Sequence, residues 1–182
     1  MKITRVEPIL VRTPLKLDDA QPHAGGQPKN DVHTVLVKVE TDEGLTGWGE
    51  AFSNAGWQST CTAVAQIIAP RVVGRDPSQI AQIQADLHRG LYNTGRSGPT
   101  VFAISGLDIA LWDIAAKRAG LPLYKMLGGS AREIPIERYY CDFAQTPFGD
   151  QIIPKNGDFA VPQGPGLGQD PDLDLVERMR VA

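Results

Sequence analysis

An α+β fold, a three-stranded antiparallel sheet followed by a helical bundle, is what the sequence predicts, and three stretches predict it. Residues 32–40 (VHTVLVKVE) alternate in the manner of a half-buried strand. Residues 41–44 (TDEG) form a turn, and 45–52 (LTGWGEAF) return from it as another strand. Residues 99–119 place Ile104, Leu107, Leu111 and Ile114 at 3-4-3 spacing, the period of a buried helix face.

Residues 2–12 (KITRVEPILVR) are rich in β-branched side chains and read as the first strand, with Pro8 marking an edge or a bulge. Residues 14–31, with three prolines and the Gly25-Gly26 pair, read as a mobile loop. In the second strand Val32, Thr34, Leu36 and Lys38 share one face, and His33, Val35, Val37 and Val39 share the other. Gly44 sits where a bulged hairpin needs φ > 0. A first helix is expected over 58–69, ended by Pro70. The second has Asp76 as N-cap, Pro77 at the first helical position and Gln79 closing a capping box, with Ile80, Ile83, Leu87 and Leu91 on one face. In the third, Asp113 and Lys117 form an i,i+4 pair, Gly120 caps the end and Pro122 forbids continuation. Beyond it, 134–143 (IPIERYYCDF) reads as a strand. The Pro- and Gly-rich remainder has room for short strands at 151–153 and 159–161 and a helix over 173–180.

The chain has 182 residues, 42% hydrophobic and 21% charged, ordinary for a globular protein able to bury a core. A formal charge of -3 and a pI near 5.6 give no basic footprint, so neither nucleic acid nor an anionic membrane surface is an expected partner. Cys61 and Cys141 lie far apart and read as free thiols of a reducing compartment. No signal-peptide run stands at the N-terminus and no stretch reads as a membrane span, so a cytoplasmic location is expected.

Two motifs carry a resemblance to a known family. T-D-E-G-L-T-G-W-G-E-A (41–51) and G-L-D-I-A-L-W-D-I-A-A-K-R-A-G-L-P-L-Y-K-M-L-G-G (106–129) resemble the N-terminal capping domain of the mandelate racemase and muconate lactonizing branch of the enolase superfamily. The resemblance covers about residues 1–135. V-P-Q-G-P-G-L-G (161–168) resembles a different part of that family, the tail that leaves the last barrel strand and returns to the capping domain. The resemblance implies a capping domain over 1–121, a remnant of a (β/α)8 barrel over 122–143, and a C-terminal tail over 144–182. A complete barrel needs about 200 residues or more, which residues 122–182 do not supply. The strand 134–143 would then lack its barrel neighbours, so 134–182 is expected to be loosely held and prone to self-association through that strand.

The family's chemistry, by the same resemblance, is removal of a proton α to a carboxylate in an acid-sugar or other small carboxylate substrate. Mg²⁺ stabilises the enediolate, and Lys or His is the base. That chemistry calls for three carboxylates converging from successive strand ends, because a hard cation takes oxygen ligands from several directions. The acids after Leu121 are not spaced one per strand–helix unit, no Lys-x-Lys occurs, and no histidine lies beyond His88, so no metal ligands or base are assigned. Asp170, Asp172 and Asp174 read as a cation loop or, more simply, as a solvated acidic turn. Glu137 resembles a family glutamate of the eighth barrel strand that donates to the substrate carboxylate; as part of a first strand it would be an ordinary strand charge.

The resemblance also assigns substrate selection to two capping loops, here 21–31 and 53–57. It makes His23, Asn54 and Trp57 the candidate binding residues, with Trp57 alternatively capping the apolar face of the first helix. His33 and His88 read as structural or solvated. Two functions follow as expectations. One is a shortened relative of a metal-dependent racemase, dehydratase or cycloisomerase, inactive as this chain and without a cofactor of its own. The other is a non-catalytic capping domain acting in homo-oligomerisation or partner binding.

Overall fold

The computed structural model describes residues 1–15, 23–24, 27–28, 30–53, 56–94, 97–132, 134–135, 146–149, 154–156 and 158–181. Five strands come first: β1 (Ile3–Pro14), β2 (His23–Ala24), β3 (Gln27–Pro28), β4 (Asp31–Thr41) and β5 (Thr46–Ala51). β1, β4 and β5 form an antiparallel sheet in the order β1-β4-β5, and β2 and β3 pair as a small hairpin inside the 14–31 loop. The alternation in β4 is realised: Val35, Val37 and Val39 are wholly buried on the helix side, and Leu36 is buried on the opposite face. The irregularity in β1 falls between Ile3 and Arg5, not at Pro8, which pairs in register with Val37. Leu10 turns its carbonyl outward to Val181, so Pro8, two residues earlier, faces the same outer edge, where a missing N–H removes no ladder bond. Thr41 and Leu45 bond to each other across the turn, and Gly44 takes φ 81°.

The helical half departs from the sequence reading at two starts and stops. Pro70 does not end the first helix. α1 (Trp57–Thr62) runs into a π-helical segment at Ala63–Ile68 and on through α2 (Ala69–Val72), where Pro70 occupies the first turn. A π turn widens the ladder and separates the proline ring from the preceding carbonyls, so the proline is accommodated. α3 spans Ile80–Gly90 and begins after Gln79, which makes no side-chain cap. Asp76 instead caps the turn before it, accepting from the Ser78 N–H and hydroxyl. α4 (Pro99–Ala119) matches expectation, with Gly120 left-handed at its end and Ile104, Leu107, Leu111 and Ile114 buried. By length and hydropathy α4 alone among the described helices could cross a membrane, a candidate the residue pattern had not suggested; 56% of that stretch is buried inside this fold. α5 follows at Leu123–Met126.

Glycines decide how α4 meets the sheet. A Cβ on Gly47 would stand 2.2 Å from the Ala110 carbonyl oxygen, and one on Gly49 2.1 Å from that of Gly106. On the helix, a Cβ on Gly106 would meet Val37 at 2.7 Å. The G-W-G and S-G-L-D-I-A segments are therefore the two halves of one close strand–helix contact. Trp48, between the two glycines, points to the other face.

That other face is covered by the end of the chain. β6 (Ile134–Pro135) pairs with β7 (Asp158–Phe159), so the described part of the strand expected at 134–143 has a neighbour; residues 136–143 lie outside the described residues, as do 151–153. α6 (Leu173–Met179) packs Leu175, Val176 and Met179 against Ile9, Val11, Leu36 and Trp48. Asp172 is its N-cap, accepting from Asp174 N–H and Leu175 N–H. Residues 166–181 therefore have contacts with the sheet and with α4, at Leu167, under α6 and at Val181.

Candidate functional site

The strand ends that flank the two capping loops meet at one end of the sheet. There β1 finishes at Pro14, β4 starts at Asp31 and β5 finishes at Ala51. Cross-strand pairing sets Arg12 opposite His33 and Pro14 opposite Asp31. Asp31 sits between two cationic or titratable partners, 3.8 Å from Arg12 Nε and 3.6 Å from His33 Nδ1. The His33 ring stacks on Trp57, with centroids 5.9 Å apart and planes 14° from parallel. The Ser53 hydroxyl donates to the His33 carbonyl at 2.8 Å, and Gly56 N–H donates to the Ser53 carbonyl at 2.9 Å. Phe52, 58% exposed, packs edge-on against Phe102 of α4, ring centroids 5.0 Å apart.

Two acids close to this end differ in their neighbours. Asp31 has the neighbours just named. Glu50, the second-last residue of β5, has no ion pair among the described residues, and burial of its surroundings pushes its carboxyl up although the side chain still reaches water. The arrangement offers a guanidinium, a carboxylate, an imidazole and exposed aromatic surface, a set able to bind a polar anion from one side. Among its described residues there is no Ser, Thr or Cys paired with a base.

Of the residues singled out from sequence, Trp57 opens α1 half-buried against the main core and so serves the helix face as well as the site end. His23 lies in β2, its backbone opposite Pro28. Asn54 and Glu137 lie outside the described residues. His88 is exposed on α3. His33, read as structural or solvated, stacks on Trp57 beside Asp31; Arg12, Asp31 and Phe52 were not singled out. The signal available for all four was position, within two residues of the ends of the strands that carry the loops.

Among the described residues no three His, Cys, Asp or Glu side chains stand together in a way that could hold a metal ion. Asp170 pairs with Lys117, Asp172 caps α6 and Glu177 lies against Arg180, so these acids have structural partners. Asp170, Asp172 and Asp174 are all exposed, in a turn that leads into α6. The described donor set does not fit Mg²⁺, and no step through a metal is derived for this chain. Cys61 is a free, half-buried thiol held above its ordinary range by burial.

A three-stranded sheet backed by a glycine-seated helix, with its loop ends gathered at one side, defines the capping domain of an enolase-superfamily protein. The family model for the mandelate racemase / muconate lactonizing enzyme N-terminal domain matches residues 17–128, and the chain belongs to that family. It is 46% identical over 104 residues to a D-mannonate dehydratase of Rhizorhabdus wittichii, covering 57% of this chain and 25% of that protein. It is 36% identical over 138 residues to an L-talarate/galactarate dehydratase of Salmonella typhimurium, covering 75% of this chain and 34% of that protein. The structure of L-talarate dehydratase from Polaromonas sp. JS666, complexed with Mg and L-glucarate, superposes with a TM-score of 0.64 at 33% identity over 74% of this chain and 37% of that one. The chain thus matches only about a quarter to a third of the length of these relatives.

Proposed function

We propose that this chain is the substrate-covering part of an acid-sugar dehydratase of the mandelate racemase type, and that by itself it turns nothing over. The reading rests on one observation. The capping fold is closed around its glycine contacts, and among the described residues no carboxylates converge on a cation site. In a protein with a barrel, the Arg12–Asp31–His33–Trp57 end would face the substrate, with His23 and Asn54 on the two loops joining it and Glu137 contributed from the barrel. Mg²⁺ and the base belong to that barrel. The test is a panel of D-mannonate, D-galactonate, L-talarate and galactarate with excess Mg²⁺. No dehydration is expected, and turnover abolished by a chelator would overturn the reading.

A second reading is a capping domain that works by association, with itself or with a partner protein. Exposed Leu121, Met126, Leu127 and Leu167 favour it, because α5 and the returning tail bring them to one side, where Pro122 bridges to Gly166. Sedimentation of the purified chain separates the two: the first reading expects a monomer at micromolar concentration, the second an oligomer.

A further inference from the structure

The last turn of α6 and the end of β1 are drawn together at the outer edge of the sheet. Val181 N–H donates to the Leu10 carbonyl at 3.0 Å, and Arg180 forms an antiparallel bridge with Val11. A cleft of about 500 Å³ lies between them, within the range of about 300–1,000 Å³ usual for small-molecule sites. Arg12 and Pro14 of β1 line it on one side, and Arg178, Met179, Arg180 and Val181 on the other. Three guanidinium groups thus share one cleft with no acid in its lining, in a chain of formal charge -3. The acids that meet these arginines stand outside the lining. Glu7 and Glu177 both engage Arg180, at 2.9 and 3.5 Å. Asp31 is 3.8 Å from Arg12 Nε, beyond hydrogen-bond reach. Arg178 has no ion pair or side-chain hydrogen bond among the described residues. A cation in the last turn complements the helix dipole, which accounts for Arg178 but not for Arg12 on the adjoining strand.

We propose that this cleft binds a small organic anion carrying two or more carboxylates. A guanidinium presents its N–H donors in a planar fork that matches a carboxylate, and Arg12 and Arg178 have such donors to spare. The two belong to different elements on different walls. A compact oxyanion would occupy little of the cleft and engage one wall, whereas separated carboxylates on one carbon body reach both. Pro14, Met179 and Val181 offer that body apolar surface. Arg12 is 63% and Arg180 40% exposed, so desolvation costs little and the binding is sensitive to salt. The proposal does not rest on the catalytic reading. Only Arg12 is common to this cleft and the Arg12–Asp31–His33–Trp57 end; Arg178 and Arg180 belong to the cleft alone.

Citrate serves to test this, titrated into the full chain by calorimetry at low ionic strength, with acetate and inorganic phosphate alongside. Citrate is expected to bind one to one, about tenfold or more tighter than either, since each further charge-assisted contact is worth about that factor. Arg178→Gln and Arg12→Gln should each weaken citrate by about tenfold, and Arg89→Gln, exposed on α3, should leave it unchanged. Amide resonances of Met179 and Val181 should shift as citrate is added. No citrate binding up to about 10 mM overturns the proposal. Phosphate bound as tightly as citrate overturns it too, because one compact oxyanion would then suffice. An equal loss in Arg89→Gln would reduce the effect to overall charge and sink the site. Shifts concentrated at Trp57, with Met179 and Val181 unmoved, would place the anion at the loop end of the sheet; that result overturns this proposal and leaves the catalytic reading standing.

Discussion

Asp113 joins three parts of the chain through one carboxylate, and replacing it should be felt in all of them. Asp113→Ala leaves two backbone N–H groups without their acceptor and takes from the Lys117 ammonium, 15% exposed, one of its two carboxylate partners. Breaking a buried pair by removing one partner costs about 3–5 kcal/mol. With a urea slope of about 1–3 kcal/mol/M, the unfolding midpoint should fall by roughly 1–5 M. A fall within error of zero would mean that the carboxylate is not holding these segments. Glu50 tests the opposite case. Its folded carboxyl is held above the ordinary range by burial, so the folded state binds the proton more tightly than the unfolded state does. The sign is then fixed: the penalty of the charged form is absent below the ordinary carboxylate range and grows as pH rises through the folded value. Glu50→Gln should therefore stabilise the chain at neutral pH and flatten the acid side of its stability profile, modestly, because the side chain still reaches water. Parallel profiles for the two proteins would contradict this. The Asp113–Lys117 pair was legible as i,i+4 spacing, but its task was not, since Trp48 and Leu167 lie far away in sequence. The partner of His33 was illegible for the same reason: nothing local announces a ring stacked on Trp57.

Elements whose signals are local were read closely from sequence. α4 carries its own period, its own Gly120 stop and the Pro122 behind it, and the structure keeps all three. The β4–β5 hairpin is similarly self-contained, with Thr41 and Gly44 making the turn. Where signals compete, the reading slipped. Asp76 and Pro77 are good helix-start residues, yet Asp76 bonds to Ser78 two positions on and closes a turn first, so α3 starts at Ile80. Pro70 reads as a stop only if the preceding turn is α-helical, and Ala63–Ile68 is not. α6 is short, and helices of that length depend on caps and packing rather than on propensity. Asp172→Ala removes its side-chain cap, which is worth about 1 kcal/mol. The expected result is faster hydrogen exchange at Leu175, Val176 and Arg180 with β4 unchanged. Exchange accelerated equally in β4 would show that α6 has no separate stability.

At the scale of the molecule, one sheet carries two cores of unequal size. The larger lies between the sheet and the helices and collects residues from β1 through α4. The smaller lies beneath α6 and is built from Ile9, Val11, Leu36, Trp48, Leu175, Val176 and Met179. The family resemblance placed the tail near the capping domain but could not show that it crosses from one sheet edge to the other. That arrangement depends on Gly166 meeting Asp113 and on Val181 meeting Leu10, contacts with no local signature. Unequal cores imply unequal opening energies, since protection tracks the buried surface and hydrogen bonds that an opening must break. Native-state exchange in increasing urea should therefore resolve two tiers. Val37, Val39, Leu107 and Leu111 should exchange only by global unfolding. Leu167, Val176 and Val181 should share one lower opening energy, because they belong to a single segment anchored at both ends. Progressive fraying, with Val181 exchanging fastest and Leu167 slowest, would mean that the segment peels from its end and has no unit of its own. Merging of all these amides into the global tier would mean that the smaller core cannot open without unfolding the larger.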